Sequence, residues 1–231
     1  MDSPYDSDDP RDSGLLLTLP ILSMMRPIEG WLAEEEADLL IAASSQALRD
    51  ASSSAVLVEV GSYCGRSTVV LGSVVRTLCG SQPGRLFAID PHAGDVGTGS
   101  ELQATSPTFE RFSKNIAEAG LTDLIVPIRL CSYQVEWSQP ICFLFIDGLH
   151  DYANVARDFH HFARWLTPGA YVAFHDYGGY YVDVQRFVDE LLRAGEYLKV
   201  HRAGGMMVLK KKPLLAPIPP PPSVRQPPKP A

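Results

Sequence analysis

The fold is decided by the stretch Ala55-Val-Leu-Val-Glu-Val-Gly-Ser-Tyr-Cys-Gly-Arg-Ser-Thr68. Its first seven residues form a nearly continuous apolar run, which is typical of a strand buried on both faces of a sheet. The glycines that follow allow the chain to turn tightly and to approach a ligand closely. A helix is predicted from Arg66 onwards. The stretch therefore predicts a strand, a ligand-facing loop and a helix in succession.

Apolar strands and helical patterns alternate along the rest of the chain. Further strands are predicted at 85–90, 124–130, 141–147 and 170–176, and helices at 66–79, 108–119, 153–166 and 182–194. The residues between 91 and 107 are predicted as a loop, and strands at 197–201 and 206–209 as a closing hairpin. This alternation predicts an α/β, Rossmann-like, doubly wound, mostly parallel seven-stranded sheet with a C-terminal antiparallel hairpin.

The composition predicts one globular domain with two tails. Of 231 residues, 45 % are hydrophobic and 20 % charged, which suits a core of ordinary size. We expect a disordered acidic tail at 1–14, a domain at 15–212 that begins with a helical segment at 15–50, and a proline-rich tail at 213–231. The apolar residues 15–25 are too few to span a membrane and are expected to pack on the domain.

Net charge and cysteine usage restrict the partners and the cellular compartment that we expect. The net charge of -7 disfavours nucleic acid and anionic membranes as partners. Four scattered cysteines without a Cys-x-x-Cys pair indicate reduced thiols in a cytoplasmic protein. The segment 15–31 would cover either the cleft or a partner subunit. The sequence therefore leaves open whether the protein forms a homodimer.

Ligands of doubly wound sheets bind beyond the carboxyl ends of the strands. The spacing from Gly61 to Gly65 does not match the G-x-G-x-x-G pattern, which disfavours NAD and FAD. Asp90 ends the second strand, where a carboxylate can accept hydrogen bonds from a ribose diol; a capping role is the alternative. His92 would lie against an adenine edge, or would be an ordinary loop histidine.

Three further residues at strand ends predict an acceptor site. Asp147 and Asp176 would converge if their strands are neighbours, and two carboxylates at one edge favour a hard cation such as Mg²⁺. His150 would take a proton from a hydroxyl that is bound there. In the alternative, Asp151 caps the next helix and His150 is a satisfied loop residue.

Together these motifs resemble class I S-adenosylmethionine-dependent methyltransferases. Within that class they look like the branch of macrocin-type sugar O-methyltransferases and their small bacterial relatives. The resemblance covers about residues 30–212, and it rests on Glu59–Thr68, Ile89-Asp-Pro91, Phe145-Ile-Asp-Gly-Leu-His-Asp-Tyr152 and Leu166-Thr-Pro-Gly-Ala-Tyr-Val-Ala-Phe-His-Asp176.

The resemblance implies S-adenosylmethionine as the cofactor. It implies cofactor-binding roles for Glu59, Gly61, Ser62, Tyr63, Gly65, Ser67, Asp90, His92 and Ser132, with Asp90 on the ribose and Ser132 near adenine. It further implies that Asp147 and Asp176 are ligands of a metal ion, and that Asp147 and His150 act in catalysis, with His150 as the base.

One departure concerns the metal. Relatives that use Mg²⁺ commonly end the fifth strand in two acidic or amide residues, whereas this chain has His175-Asp176. His175 would be a metal ligand, a substrate contact or a core residue. The expected activity is methyl transfer to a hydroxyl of a small molecule, a sugar or a glycosylated natural product. The alternatives are a Mg²⁺-dependent enzyme for catechol-like phenols and a non-catalytic cofactor-binding module.

Overall fold

The computed structural model describes residues 16–52 and 54–213, so the predicted acidic tail and almost all of the proline-rich tail lie outside the described residues. The helices are α1 (Thr18–Met25), α2 (Glu34–Asp50), α3 (Arg66–Cys79), α4 (Phe109–Glu118), α5 (Tyr152–Ala163) and α6 (Val182–Ala194). The strands are β1 (Val56–Val60), β2 (Leu86–Ile89), β3 (Asp95–Thr98), β4 (Glu101–Ala104), β5 (Ile125–Ile128), β6 (Ile141–Ile146), β7 (Leu166–Phe174), β8 (Tyr197–Ala203) and β9 (Met206–Lys211).

Seven of these strands form one sheet in the order β5-β2-β1-β6-β7-β9-β8. The first five run parallel, whereas β9 is antiparallel to both β7 and β8. The predicted Rossmann-like sheet with a closing hairpin is therefore confirmed. The chain leaves β1 towards β2 and β5 and returns to β6 on the other side, so the loops after β1 and β6 adjoin at the switch point, where such sheets bind ligands.

Both faces of the sheet are covered, which explains the unbroken apolar run of β1. All five of its residues are buried. One core cluster joins alternate strand residues to α1, α2 and α3, with Leu40 and Leu71 fully buried. A second cluster packs the other face against α5 and α6 through Phe159 and Phe187. The N-terminal segment packs as expected, because α1 buries Ile21, Leu22 and Met25.

Most predicted boundaries shift by one to three residues, and two regions differ by more. The expected loop at 91–107 contains the hairpin of β3 and β4, which within the described chain pair only with each other. Their largely polar residues show no alternation of apolar and polar side chains, so the sequence carries no strand signal there. Strand β7 begins at Leu166 rather than at 170, because an irregularity in its pairing with β6 accommodates Pro168.

The remaining expectations concern cysteines and the membrane. All four cysteines lie in the described residues and are free. Burial raises the pKa of Cys64 to about 11 and that of Cys142 to about 12, so both are protonated, unreactive thiols. Within residues 16–52 and 54–213, every helix is too short or too polar to cross a membrane.

Candidate functional site

The loop after β1 approaches the loop after β6 so closely that only glycine fits at its first position. Gly61 has a φ of 89°, and a Cβ there would lie 2.0 Å from the carbonyl oxygen of Asp147. Its backbone lies in the left-handed region that L side chains rarely adopt. Tyr63 shares this sign of φ, at 45°. The loop is thus a tight, strained turn that brings backbone to the switch point of the sheet.

Glu59 lies behind this loop rather than in it. Its side chain is fully buried, and its carboxylate accepts hydrogen bonds from the hydroxyls of Ser67 and Thr68, both at 2.5 Å. Burial raises the pKa of Glu59 to about 7, although these hydroxyls lower it in part. Glu59 therefore ties the end of β1 to the first turn of α3.

Asp90 holds the loops after β1 and β2 together. One carboxylate oxygen accepts the backbone N–H of Tyr63 at 2.8 Å, and the other accepts that of His92 at 2.6 Å. Each oxygen keeps a second lone pair, and Asp90 lines the central cavity. It can therefore still accept hydrogen bonds from a vicinal diol.

His92 points away from that cavity. Its Nδ1 lies 2.8 Å from the hydroxyl of Thr108, and its ring packs against Phe109 and Phe112. Burial lowers the pKa of His92, so the ring is neutral at physiological pH. Its contacts favour a structural role, in which it anchors the loop after β2 to α4.

Ser132 follows β5, the outermost parallel strand, and lies close to α5, whose Asp158 approaches Gly148 in the loop after β6. Its hydroxyl donates a hydrogen bond to Asp158 of α5. Burial raises the pKa of Asp158 to about 6, and the Ser132 hydroxyl limits that rise. Both residues line the cavity.

His150 and Asp176 form a pair where β6 and β7 end. Nε2 of His150 lies 2.9 Å from Oδ2 of Asp176, and the ring packs at 4.2 Å from that of Tyr181. The backbone N–H of His150 donates to the carbonyl of Gly97 in the hairpin at 2.9 Å. Asp176 has a φ of 58°, a strained value for aspartate that turns its carboxylate towards both His150 and His175.

His175 lies among three carboxylates. Its Nδ1 is 3.1 Å from Asp147 and 3.2 Å from Asp176, and its Nε2 is 3.1 Å from Glu36. Burial by itself lowers the pKa of His175, but the three acids, led by Asp147, outweigh burial and raise that pKa well above its ordinary value. His175 is thus a buried imidazolium with an acid at each ring nitrogen.

A cavity of about 650 Å³ joins these groups, a volume that accommodates a nucleoside-sized ligand together with a second molecule. Eight predicted site residues line it: Gly61, Tyr63, Asp90, Ser132, Asp147, His150, His175 and Asp176. Five others lie behind its wall: Glu59, Ser62, Gly65, Ser67 and His92. The loop and strand-end residues expected to meet at one place therefore do so, although not all of them face the ligand space.

Sequence reasoning missed three contributors to the site. Glu36 belongs to the run Glu34-Glu35-Glu36 in the first turn of α2, where the helix dipole favours acids, yet it contacts His175. Asp158, on α5, carries no motif. The hairpin of β3 and β4 supplies Val96, Thr98 and Gln103 to the cavity. Only the triple glutamate at the start of α2 offered any signal, and that signal had an ordinary explanation.

A parallel sheet with a glycine turn after β1, a carboxylate after β2 and an acid–histidine pair after β6 and β7 defines a Rossmann-like enzyme that binds a nucleoside cofactor. Residues 58–177 match a family described as "Methyltransferase domain", and they make up just over half of the chain. The chain belongs to this methyltransferase family. The resemblance to class I S-adenosylmethionine-dependent methyltransferases is thereby confirmed.

Solved structures of similar fold agree with this assignment. The O-methyltransferase NovP is 13 % identical with a TM-score of 0.64, over 79 % of this chain and 83 % of that one. An O-methyltransferase from Bacillus cereus in complex with SAH is 17 % identical, with a TM-score of 0.56 over 84 % and 90 %. CalS11, a TDP-rhamnose 3'-O-methyltransferase, is 15 % identical with a TM-score of 0.55 over 91 % and 96 %. At these identities the likeness concerns the fold.

Proposed function

We propose that this protein transfers the methyl group of S-adenosylmethionine to a hydroxyl of a small molecule, a sugar or a sugar-bearing natural product. The observation that carries the proposal is the pair of His150 and Asp176, 2.9 Å apart, which lines the same cavity as Asp90. A base beside a nucleoside site is what methylation of an oxygen requires, because an alcohol is a weak nucleophile until its proton is removed. The O-methyltransferases of similar fold support this choice of acceptor atom.

The cavity divides naturally between cofactor and acceptor. We assign the ribose to Asp90, the adenine end to Ser132 and Asp158, and the amino-acid end to the loop of Gly61 and Tyr63. Glu59 and Ser67 would act indirectly, by fixing that loop to α3. Ser62, Gly65 and His92 would also act indirectly, by holding the loops of the site in shape. These roles remain predictions that binding measurements can test.

His150 would remove the proton of the acceptor. Asp176 accepts the hydrogen on Nε2 of His150, which leaves Nδ1 as the basic nitrogen. Nδ1 is buried and has no hydrogen-bond partner within the described chain, so its lone pair is uncommitted, but it reaches an acceptor only after a shift of the ring or of the neighbouring Tyr181. Bound S-adenosylmethionine would supply an electrophilic methyl group on its sulfonium. Asp147 and Asp176 would then stabilise the positive charge that develops on His150 as it receives the proton.

The residues suit an internal cation better than Mg²⁺. Ligand atoms of Asp147, His175 and Asp176 lie within 4.8 Å of one another, but one of them is a nitrogen, whereas Mg²⁺ prefers oxygen. That nitrogen, Nδ1 of His175, lies at hydrogen-bond distance from both carboxylates, while Nε2 faces Glu36. We propose that His175 takes the place between Asp147 and Asp176 that the family resemblance gives to a metal ion.

The sugar assignment rests on aromatic side chains of the cavity lining: Tyr181 packs on His150, Tyr180 contacts Tyr181, and Trp31 packs on Tyr63. Trp31, Tyr180 and Tyr181 line the cavity, and Trp31 and Tyr180 are 65 % and 83 % exposed. Flat apolar faces of this kind suit the rings of sugars. A catechol-type acceptor would instead be held by two adjacent oxygens on a metal ion, and the nitrogen of His175 makes such an arrangement less suitable.

The test is a methyl-transfer screen over sugars and phenols with isotopically labelled S-adenosylmethionine, run once with EDTA and once with Mg²⁺. On an accepted substrate, we expect His150→Ala to lower kcat at least about 100-fold, the usual contribution of a general base. His201→Ala, at an exposed position on β8, is the matched control. Unchanged turnover of the His150 variant would refute the base, and a strict need for Mg²⁺ would refute the internal cation.

A further inference from the structure

The charged side chains that line the cavity are nearly all negative. Eight carboxylates line it: Glu29, Glu36, Asp90, Asp95, Glu101, Asp147, Asp158 and Asp176. Among the described residues, lysine is absent from the lining and Arg157 is the sole arginine. An acceptor that carries phosphate would meet Coulomb repulsion here, because the charges of the lining are nearly all negative.

Arg157 lies on α5 between the adenine end of the cavity and Asn154, whose amide donates to Asp151. Its guanidinium lies 4.2 Å from the ring of Tyr133, adjacent to Ser132, and donates a hydrogen bond to Asn154. The neighbouring carboxylate is Asp158. A single cationic side chain therefore faces eight acids, because no arginine other than Arg157 and no lysine lines the cavity among the described residues.

The acceptor end keeps negative charge even when His175 is fully protonated. Glu36, Asp147 and Asp176 carry three negative charges around the single positive charge of His175. The sulfonium of the methyl donor would offset one of the two that remain. Glu29 lines the mouth as well, but Arg111 pairs with it. With His150 neutral, as its proposed role as base requires, a net negative charge is left for the acceptor to meet.

The hairpin of β3 and β4 carries two of the eight acids that line the cavity. Asp95 and Glu101 are exposed, line the cavity and form no ion pair within the described chain. The hairpin is held over the site, because Gly99 donates its N–H to Asp151 at 2.7 Å and Gly97 accepts from His150 at 2.9 Å.

We infer that the acceptor is a cation, a hydroxyl compound that carries a protonated amine, such as an amino sugar. The amine would be held by the hairpin carboxylates Asp95 and Glu101 and by the carboxylates around His175. The exposed aromatic faces of Trp31 and Tyr180 would help, since aromatic rings attract cations. The inference rests on the proposed function, because it names the acceptor of that same site. It excludes nucleoside diphosphate sugars and coenzyme A thioesters as acceptors.

The experiment compares three probes by NMR titration of the protein saturated with S-adenosylhomocysteine, in EDTA, at low salt and slightly acid pH. The probes are glucosamine, glucose and glucose 6-phosphate. We expect glucosamine to bind at least about ten-fold more tightly than glucose, and the phosphate to bind most weakly, as local Coulomb attraction and repulsion require. Salt at about 0.5 M should narrow these differences.

A variant without the two hairpin charges tests whether these acids cause the preference for glucosamine. The double variant Asp95→Asn with Glu101→Gln should reduce the preference for glucosamine about three-fold, because it removes two charges from one wall. Asp38→Asn with Glu110→Gln neutralises two exposed acids outside the cavity lining and should leave the preference unchanged.

The outcomes separate the two proposals. Equal binding of the three probes, tighter binding of the phosphate, or no detectable binding of glucosamine would overturn the inference while S-adenosylhomocysteine still binds. Failure of S-adenosylhomocysteine to bind, measured first by calorimetry, would overturn the proposed function itself.

Discussion

Replacing Glu59 by glutamine should change how stability depends on pH. The fully buried carboxyl has its pKa raised from 4.5 to about 7, and at about 1.4 kcal/mol per pKa unit this rise corresponds to about 3 kcal/mol. Because the folded state holds this proton more firmly than the unfolded state, the stabilisation is complete below about pH 4.5 and is lost as pH rises to about 7. Glutamine does not titrate, and it can still meet the hydroxyls of Ser67 and Thr68.

The assay is urea unfolding followed by circular dichroism at several pH values between about 4.5 and 8, without cofactor. The free energy of unfolding of the wild type, minus that of Glu59→Gln, should fall by about 3 kcal/mol across this range. Other titrating groups such as Asp158 are present in both proteins and cancel in the difference. Glu110→Gln, at an exposed position, should show a constant difference. A constant or rising difference for the Glu59 variant would refute the reasoning.

Three further changes test the cofactor site and the core. Gly61→Ala should weaken S-adenosylhomocysteine binding in calorimetry at least about ten-fold, since its Cβ would lie 2.0 Å from the carbonyl oxygen of Asp147 in a strained backbone; an unchanged affinity would contradict the close approach. Asp90→Asn should weaken the same binding about ten-fold, because a charged acceptor is lost, whereas equal affinity would remove Asp90 from the ribose. Leu71→Ala, at a fully buried position in α3, should cost about 2–5 kcal/mol in urea unfolding; a loss under about 1 kcal/mol would contradict its place in the core.

The parts of the fold that were predictable have strong local signals. The predicted bounds of the helices at 66–79 and 182–194 coincide with α3 and α6, because a loop glycine precedes α3 and Gly80 and Gly195 follow the two helices. The order of the sheet follows from the alternation of strands and helices. Since parallel strands end at one edge, Asp90, Asp147, His150 and Asp176 were expected at a single site, and all four line the cavity.

The hairpin at residues 95–104 was not predictable, because its stability does not come from burial. Leu102 is 48 % exposed, and all four residues of β4 are exposed. Its position depends on hydrogen bonds to the loop after β6, from Gly99 to Asp151 and from His150 to Gly97. Such bonds between groups that are distant in the sequence leave no pattern in it.

Glu36 shows why the charge of the site could not be derived from strand ends alone. It lies 139 residues before His175 in the chain, yet one of its carboxylate oxygens contacts Nε2 of His175 and the other accepts the N–H of Gly205 at 2.7 Å. Helix α2, the end of β7 and the turn between β8 and β9 therefore meet at one carboxylate. With Glu36 at Nε2 and two acids at Nδ1, both ring nitrogens of His175 can donate to carboxylates when the ring is protonated, and the proposed internal cation rests on this arrangement.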